Sequence, residues 1–154
     1  MSPAPELQAD FDGIARLEEA GARAESPYLH WLARQLPSRL GTVLEVGCGT
    51  GAFSRLLAAR ADRVLALDLS PEMIRVAQAR STTYPNVRYE VCDFEAWAPP
   101  PEAFDAVVSV ATLHHLAFVP ALEKMKQALR PGGVLGILDL LDLRGARHLG
   151  RNFV

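Results

Sequence analysis

The sequence predicts an α/β fold of three layers, in which a doubly wound and mostly parallel sheet lies between two layers of helices. Three observations predict it. Apolar runs alternate with helix-like segments from about residue 38 onward. The runs are apolar almost throughout, which is typical of strands that helices cover on both faces. A glycine-rich turn at residues 47–51, GCGTG, joins the first run to the first helix of this series. Together these features indicate a sheet wound in both directions from its centre.

Length and composition limit the size of the protein and the kind of partner. The 154 residues have a net charge of −2, and only two are cysteines. This length suits one domain, which we divide into an N-terminal extension with helices (1–37), a core (38–141) and a short tail (142–154). Because the chain lacks a basic field, we expect a small-molecule partner and no nucleic acid. The sequence shows no pattern of a signal peptide or a membrane span, and its two cysteines do not suggest a disulfide framework. We therefore predict a cytoplasmic protein.

The N-terminal extension begins with a Pro-, Ala- and acid-rich stretch, residues 1–12, that we expect to be loosely held. A helix is predicted in the segment SPYLHWLARQLPSRL. Ser26 is its predicted N-cap, Pro27 is its first residue, and Pro37 ends it. After it, the predicted strands are TVLEV, RVLALD, NVRYEVC, DAVVSVA and GVLGILDLL, and the predicted helices are AFSRLLAAR, SPEMIRVAQAR and PALEKMKQALR.

The glycine turn has the spacing of a dinucleotide-binding loop. Gly47, Gly49 and Ala52 satisfy G-x-G-x-x-G/A, and Asp68 ends the next strand where an acid binds ribose hydroxyls. Glu45, however, would bring a negative charge close to a bound pyrophosphate. A cofactor with a positive charge and no phosphate, such as S-adenosylmethionine, therefore fits better than NAD.

These residues resemble the class I S-adenosylmethionine-dependent methyltransferases, particularly the branch that acts on small molecules. The resemblance covers residues 38–141 and includes LEVGCGTG, LALDLSPEMI, VCDFEAW, FDAVVSVATLHHL and LRPGG in the family's order. It implies a Rossmann-like core and S-adenosylmethionine as cofactor. In this reading Asp68 takes the ribose hydroxyls and Asp93 the adenine amino group. The cofactor-binding residues implied are Glu45, Gly47, Cys48, Gly49, Gly51, Asp68, Leu69, Met73, Cys92, Asp93, Phe94 and Val110.

In this family a helix and two further strands follow the fifth strand, whereas here the chain ends soon after it. The tail could fold back over the sheet edge, a second chain could cover that edge, or the sequence could be a truncated form. We favour truncation and expect the last strands to be lacking. The exposed edge of the fifth strand, residues 134–141, would then favour self-association.

Several residues also have simpler interpretations. Asp68 could cap a helix, Asp93 could stabilise a turn and Met73 could fill the core. We expect no metal site, because adjacent histidines do not converge on one ion. The catalytic residues are unknown, with His115 and His114 as candidates for a general base.

The predicted reaction is a direct in-line methyl transfer to a small-molecule acceptor, in which positioning supplies most of the rate. Two alternatives stay open. One is a non-catalytic fragment or module that binds S-adenosylmethionine. The other is an NAD-dependent oxidoreductase.

Overall fold

The computed structural model describes residues 5–20 and 26–139, and side chains within 8–16 and 26–139. The helices are α1 (Pro5–Ala20), α2 (Pro27–Gln35), α3 (Ala52–Ala58), α4 (Pro71–Arg80) and α5 (Phe118–Ala128), with a 3₁₀ turn at Leu113–His115. The strands are β1 (Leu40–Val46), β2 (Ala61–Asp68), β3 (Val87–Val91), β4 (Phe104–Val110) and β5 (Leu129–Leu138). None of these helices has the length and apolar character needed to cross a bilayer.

The strands form a single sheet in the order β3-β2-β1-β4-β5, and every pair is parallel. In the register, Val43 of β1 lies between Val64 of β2 and Ala106 of β4. The chain winds outward from β1 in one direction and from β4 in the other. The order therefore reverses between β1 and β4, which is where open α/β sheets bind ligands. This topology confirms the predicted fold class.

The core lies on both faces of the sheet. Val43 and Val108 pack with Phe53 and Leu57 on the face covered by α2, α3 and α4. The next residues along the strands point the other way, so that Leu44, Val46 and Val107 pack with Met125 on the face covered by α5. This arrangement explains why the strands are apolar throughout, since both sets of side chains are buried.

The N-terminal region differs from the expectation at one point. The Ser26 hydroxyl accepts a hydrogen bond from the Tyr28 amide at 3.4 Å, and α2 begins at Pro27 as predicted. Residues 5–12, in contrast, belong to helix α1 and are not loosely held. Ala15 is fully buried, and Asp12 accepts a hydrogen bond from Ser70 at the start of α4. For residues 5–12 the expectation was wrong, because packing against α4 stabilises a segment whose composition looks like that of a loop. Residues 1–4 lie outside the described residues.

The fifth strand is also placed differently. It starts at Leu129, inside the predicted helix PALEKMKQALR and four residues before the predicted strand GVLGILDLL, and ends at Leu138. A register shift between Phe104 and Ala106 accommodates this early start beside β4. The last part of the predicted strand, residues 140–141, and the tail 142–154 lie outside the described residues.

Candidate cofactor-binding site

A cavity of about 330 Å³ opens at the carboxyl ends of β1, β2 and β4, next to the reversal of strand order. It has the size of a small-ligand site and a mainly apolar wall with a few polar groups. Ten predicted site residues line it: Gly47, Gly49, Asp68, Leu69, Met73, Cys92, Asp93, Phe94, Val110 and His115. Four others, Glu45, Cys48, Gly51 and His114, are not among the lining residues.

The three glycines of the turn have left-handed backbones, with φ of +78° at Gly47, +52° at Gly49 and +80° at Gly51. A Cβ atom at Gly47 would lie 2.0 Å from Thr112 Oγ1, and one at Gly51 would lie 2.5 Å from the Tyr89 hydroxyl. At Gly49 the closest atom would be the Met73 sulfur, 4.0 Å away. Gly47 and Gly51 thus allow the protein to pack closely, whereas Gly49 leaves open space on the cavity side.

Asp68 stands at the rim of the cavity and connects the glycine turn to α4. One carboxylate oxygen accepts the Gly49 amide hydrogen at 2.8 Å, and the other accepts that of Ser70 at 2.9 Å. Ser70 itself is the N-cap of α4 and accepts from the Met73 amide at 3.0 Å. Asp68 is therefore not the helix cap. Burial is the main cause that raises the pKa of Asp68, and the hydrogen bonds from Ser70 and Gly49 oppose it.

Asp93 and Cys92 form the neighbouring part of the wall. Asp93 faces the cavity while one of its carboxylate oxygens accepts from the Glu95 amide at 3.0 Å. The turn-stabilising interpretation of Asp93 therefore holds together with its position in the wall. Burial is the main cause that raises the pKa of the Cys92 thiol. Met73 of α4 also combines its two interpretations, because its side chain is buried in the core and at the same time lines the cavity.

Glu45 lies below the turn and not in the cavity wall. It is 1% exposed, and the Ser54 hydroxyl of α3 donates to its carboxyl group at 2.5 Å. Burial raises the pKa of Glu45 to about 8, the Ser54 hydrogen bond lowers it, and the charge of Asp68 raises it further. At neutral pH the group is thus mostly protonated. The negative charge used to argue against a pyrophosphate is largely absent from the chain without ligand.

Two further predicted residues lie behind the wall. Cys48 is buried, and desolvation raises the pKa of its thiol well above the usual value, as suits a small packing residue. Gly51 packs against Tyr89, whose hydroxyl is 2.8 Å from Ser81 Oγ. Both support the turn from below.

The two histidines have different positions. His115 lines the cavity, and its ring meets that of Phe11 edge-on, with the centroids 5.1 Å apart. His114 points to Asp139, with Nδ1 and Oδ1 2.6 Å apart. Burial and the neighbouring His114 lower the pKa of His115, so its ring is neutral at pH 7.

Within residues 5–20 and 26–139, no group of three His, Cys, Asp or Glu residues is arranged to hold a metal ion.

Sequence reasoning missed part of the wall. Phe11 and Ile14 of α1 close one side of the cavity. Their three-residue spacing on one helix face was the available signal. Ala111 also lines the cavity and has φ +51°, unusual for a residue other than glycine. No sequence signal marks it.

Comparison with known proteins gives consistent results. A family model described as a methyltransferase domain matches residues 43–133. An uncharacterised methyltransferase of Mycobacterium tuberculosis is 39% identical over 66% of this chain and 53% of its own length. A ubiquinone biosynthesis O-methyltransferase of Xanthomonas campestris is 31% identical over 98% of this chain and 74% of its own length. The solved DhpI–SAM–HEP complex aligns with a TM-score of 0.76 and 27% identity, over 100% of this chain and 74% of DhpI.

The chain spans about half the length of the mycobacterial relatives that it matches. The matched region, residues 43–133, nevertheless contains the glycine turn, Asp68, Asp93 and the histidine pair. With the sheet order and the cavity at its point of reversal, these matches show that the chain belongs to the class I S-adenosylmethionine-dependent methyltransferase family.

Proposed function

We propose that this chain binds S-adenosylmethionine in the cavity and transfers its methyl group to a small-molecule acceptor. The observation that carries the proposal is the arrangement of Asp68 and Gly49 at the rim. The amide of Gly49 holds the carboxylate, while its missing side chain leaves the adjoining space open. A carboxylate beside an open backbone suits a ribose joined to an amino-acid chain. The solved relative bound to S-adenosylmethionine supports the same assignment.

The remaining wall residues suit the parts of this cofactor. The methionine part would lie along Gly47 and Gly49, and the ribose hydroxyls would meet Asp68. The adenine would lie among apolar side chains, with its amino group toward Asp93. These apolar side chains are Leu69, Met73, Cys92, Phe94 and Val110. Glu45, Cys48 and Gly51 would act from below the turn, by fixing its backbone.

When bound, the cofactor supplies a sulfonium with a good leaving group, so the protein mainly has to position the acceptor and exclude water. Phe11 and Ile14 of α1 close one side of the cavity and would exclude water there. His115 is the better candidate for a base, because it lines the cavity and its ring is neutral at pH 7. It would accept the proton of an acceptor such as a hydroxyl. His114 would act only through its contact with His115, the two ring centroids being 3.8 Å apart.

A small-molecule acceptor agrees with the relatives, one of which is a ubiquinone biosynthesis O-methyltransferase. The acceptor itself and the element that is methylated are set by wall segments that vary on a shared scaffold. Cytoplasmic localisation stays a prediction from the two cysteines, which are both free thiols here.

Calorimetric titration of the purified chain with S-adenosylmethionine, S-adenosylhomocysteine and NADH tests the proposal. We expect the two sulfur compounds to bind at one site per chain and NADH not to bind. A Cys92 alkylation assay gives a second readout, because Cys92 faces the cavity and Cys48 is buried. S-adenosylhomocysteine should slow the alkylation of Cys92. Binding of neither sulfur compound would overturn the proposal, and binding of NADH alone would favour the oxidoreductase.

Methyl transfer is tested separately, with radiolabelled S-adenosylmethionine and a panel of phenols, amines and carboxylic acids. We expect label in at least one class of product. Binding without transfer to any of the three classes would support the non-catalytic module.

A further inference from the structure

A lysine outside the cavity holds the segment that forms one of its walls. This segment, residues 93–97, follows β3 and is called here the base loop. Lys124 of α5 directs its ammonium group at three carbonyl oxygens of the base loop. They belong to Phe94 at 2.7 Å, Glu95 at 2.8 Å and Trp97 at 2.8 Å. An ammonium group has three hydrogens to donate, so these contacts use its full donor capacity.

Other contacts fix the base loop to the same helix. The Lys124 ammonium lies 5.2 Å from the centroid of the Phe94 ring, which suits a cation–π contact. The Glu95 carboxylate accepts from the Ala117 amide, just before α5, at 2.8 Å. Within the loop, the Trp97 amide donates to the Asp93 carbonyl at 2.9 Å. The base loop is therefore anchored to α5 at two places, and Lys124 provides most of the hydrogen bonds.

The opposite side of the base loop faces the cavity. Asp93 and Phe94 both line it, and Phe94 is 5% exposed. In the proposed function, the side chains of Asp93 and Phe94 contact the nucleobase of the cofactor. Charge-assisted hydrogen bonds are stronger than neutral ones, so three of them on the five residues of the base loop limit where these two side chains can lie.

We propose that Lys124 is a positioning residue, which sets the nucleobase part of the cofactor site by holding the base loop against α5. The inference rests on the proposed function, because it assumes that the cavity binds an adenosyl compound. Lys124 is not among the residues that line the cavity and would act through the carbonyl groups of the loop. Its loss should therefore weaken recognition of the base more than recognition of the rest of the cofactor.

The test compares two ligands on matched variants. S-adenosylhomocysteine contains the base, whereas S-ribosylhomocysteine lacks it but keeps the ribose and the amino acid. Lys124→Met keeps most of the aliphatic stem and removes the three hydrogen bonds. Lys126→Met is the control, since Lys126 is two residues away on the same helix and forms an exposed ion pair with Glu123. Dissociation constants of both ligands are measured by calorimetry for the wild type and each variant.

We expect Lys124→Met to weaken S-adenosylhomocysteine binding about tenfold or more, as for lost hydrogen bonds to a charged group, with less than about a twofold change for S-ribosylhomocysteine. Lys126→Met should change neither. An equal loss for both ligands, or no loss for either, would overturn the inference while leaving the proposed function intact. A wild type that binds no S-adenosylhomocysteine would overturn both.

Glu95→Ala is the second variant and covers the case in which Lys124→Met does not fold. It removes the other anchor of the base loop from an exposed position and changes no residue of α5. We expect a smaller change in the same direction, with about a threefold loss for S-adenosylhomocysteine and none for S-ribosylhomocysteine. An unchanged ratio of the two constants would overturn the inference.

Discussion

Replacement of Glu45 by glutamine should remove a large part of the pH dependence of stability. In the native state burial raises the pKa of Glu45 to about 8, compared with 4.5 for an exposed glutamate. Between these two values the native chain holds one proton that the unfolded chain has lost. The free energy of unfolding therefore falls as pH rises from 4.5 to 8, by up to about 1.4 kcal/mol per pH unit.

The shift of Glu45 thus costs the native state on the order of 4 kcal/mol by pH 8, but less than about 1 kcal/mol at pH 5. The glutamine side chain of Glu45→Gln would keep the acceptor for Ser54 and would carry no charge at either pH. The difference in free energy of unfolding between Glu45→Gln and the wild type should therefore grow in favour of the variant as pH rises. We compare the melting temperature of Glu45→Gln with that of the wild type at each pH. For a chain of this size, this difference in melting temperature should be roughly 10 °C larger at pH 8 than at pH 5.

Thermal and urea unfolding at several pH values from 5 to 8 provides the assay. Titrating groups that do not interact with Glu45 behave alike in both proteins, so their effect cancels in the difference. Glu123→Gln serves as the control, because Glu123 is exposed and its ion pair with Lys126 lies at the surface. The difference in free energy of unfolding between Glu123→Gln and the wild type should not change with pH. Parallel curves for Glu45→Gln and the wild type would refute the reasoning and show that Glu45 is ionised in the fold.

Asp68→Ala should weaken S-adenosylhomocysteine binding by about 1.5–3 kcal/mol in a calorimetric titration, the scale of lost charge-assisted hydrogen bonds; unchanged affinity would contradict the ribose assignment. Gly49→Val should abolish binding but keep the circular dichroism of the fold, because a branched side chain would occupy the open space beside the turn. Ala111→Gly should raise the melting temperature by roughly 2–4 °C, since glycine relieves the strain of a left-handed backbone; a lower value would show that the methyl group contributes more than the strain costs. The chain should self-associate with rising concentration in light scattering, because β5 pairs only with β4 within the described residues; a monomer at all concentrations would show a protected edge.

Most of the fold could be predicted because its signals are local. An apolar run marks each strand, and Ser26 and Ser70 mark helix starts through the side-chain caps that the structure shows. The wall residues Gly47, Gly49 and Asp68 were also found, since they follow strands whose ends meet at one edge of a parallel sheet. The length of β5 was misjudged, because its start at Leu129 depends on a register shift beside β4.

The missed residues depend on contacts between distant parts of the chain. Lys124 binds carbonyl groups 27 to 30 residues earlier, and Asp139 reaches His114 across 25 residues. Phe11 enters the wall only because α1 docks beside α4, through the bond from Ser70 to Asp12. Helical spacing can mark Phe11 and Ile14 as one face of a helix, but no periodicity in the sequence indicates which element that face meets. Only the packing of helices on the finished sheet reveals these pairings.

Glu45 shows a different limit of sequence reasoning. Its position before the glycine turn could be read, but its charge could not, because charge depends on solvation in the fold. From its position in the sequence, Glu45 is expected to be an ionised carboxylate beside the ligand, whereas the structure buries the group against Ser54. The preference for S-adenosylmethionine therefore rests on the open space at Gly49, on Asp68 and on the family relationship. A cation bound above the turn would favour the ionised form of Glu45, so its binding should release a proton, which calorimetry in buffers of different ionisation enthalpy would detect. Both S-adenosylmethionine and S-adenosylhomocysteine carry an ammonium group, so proton release on binding either of them would return Glu45 to an electrostatic role, and no release with either would leave it as a support of the turn.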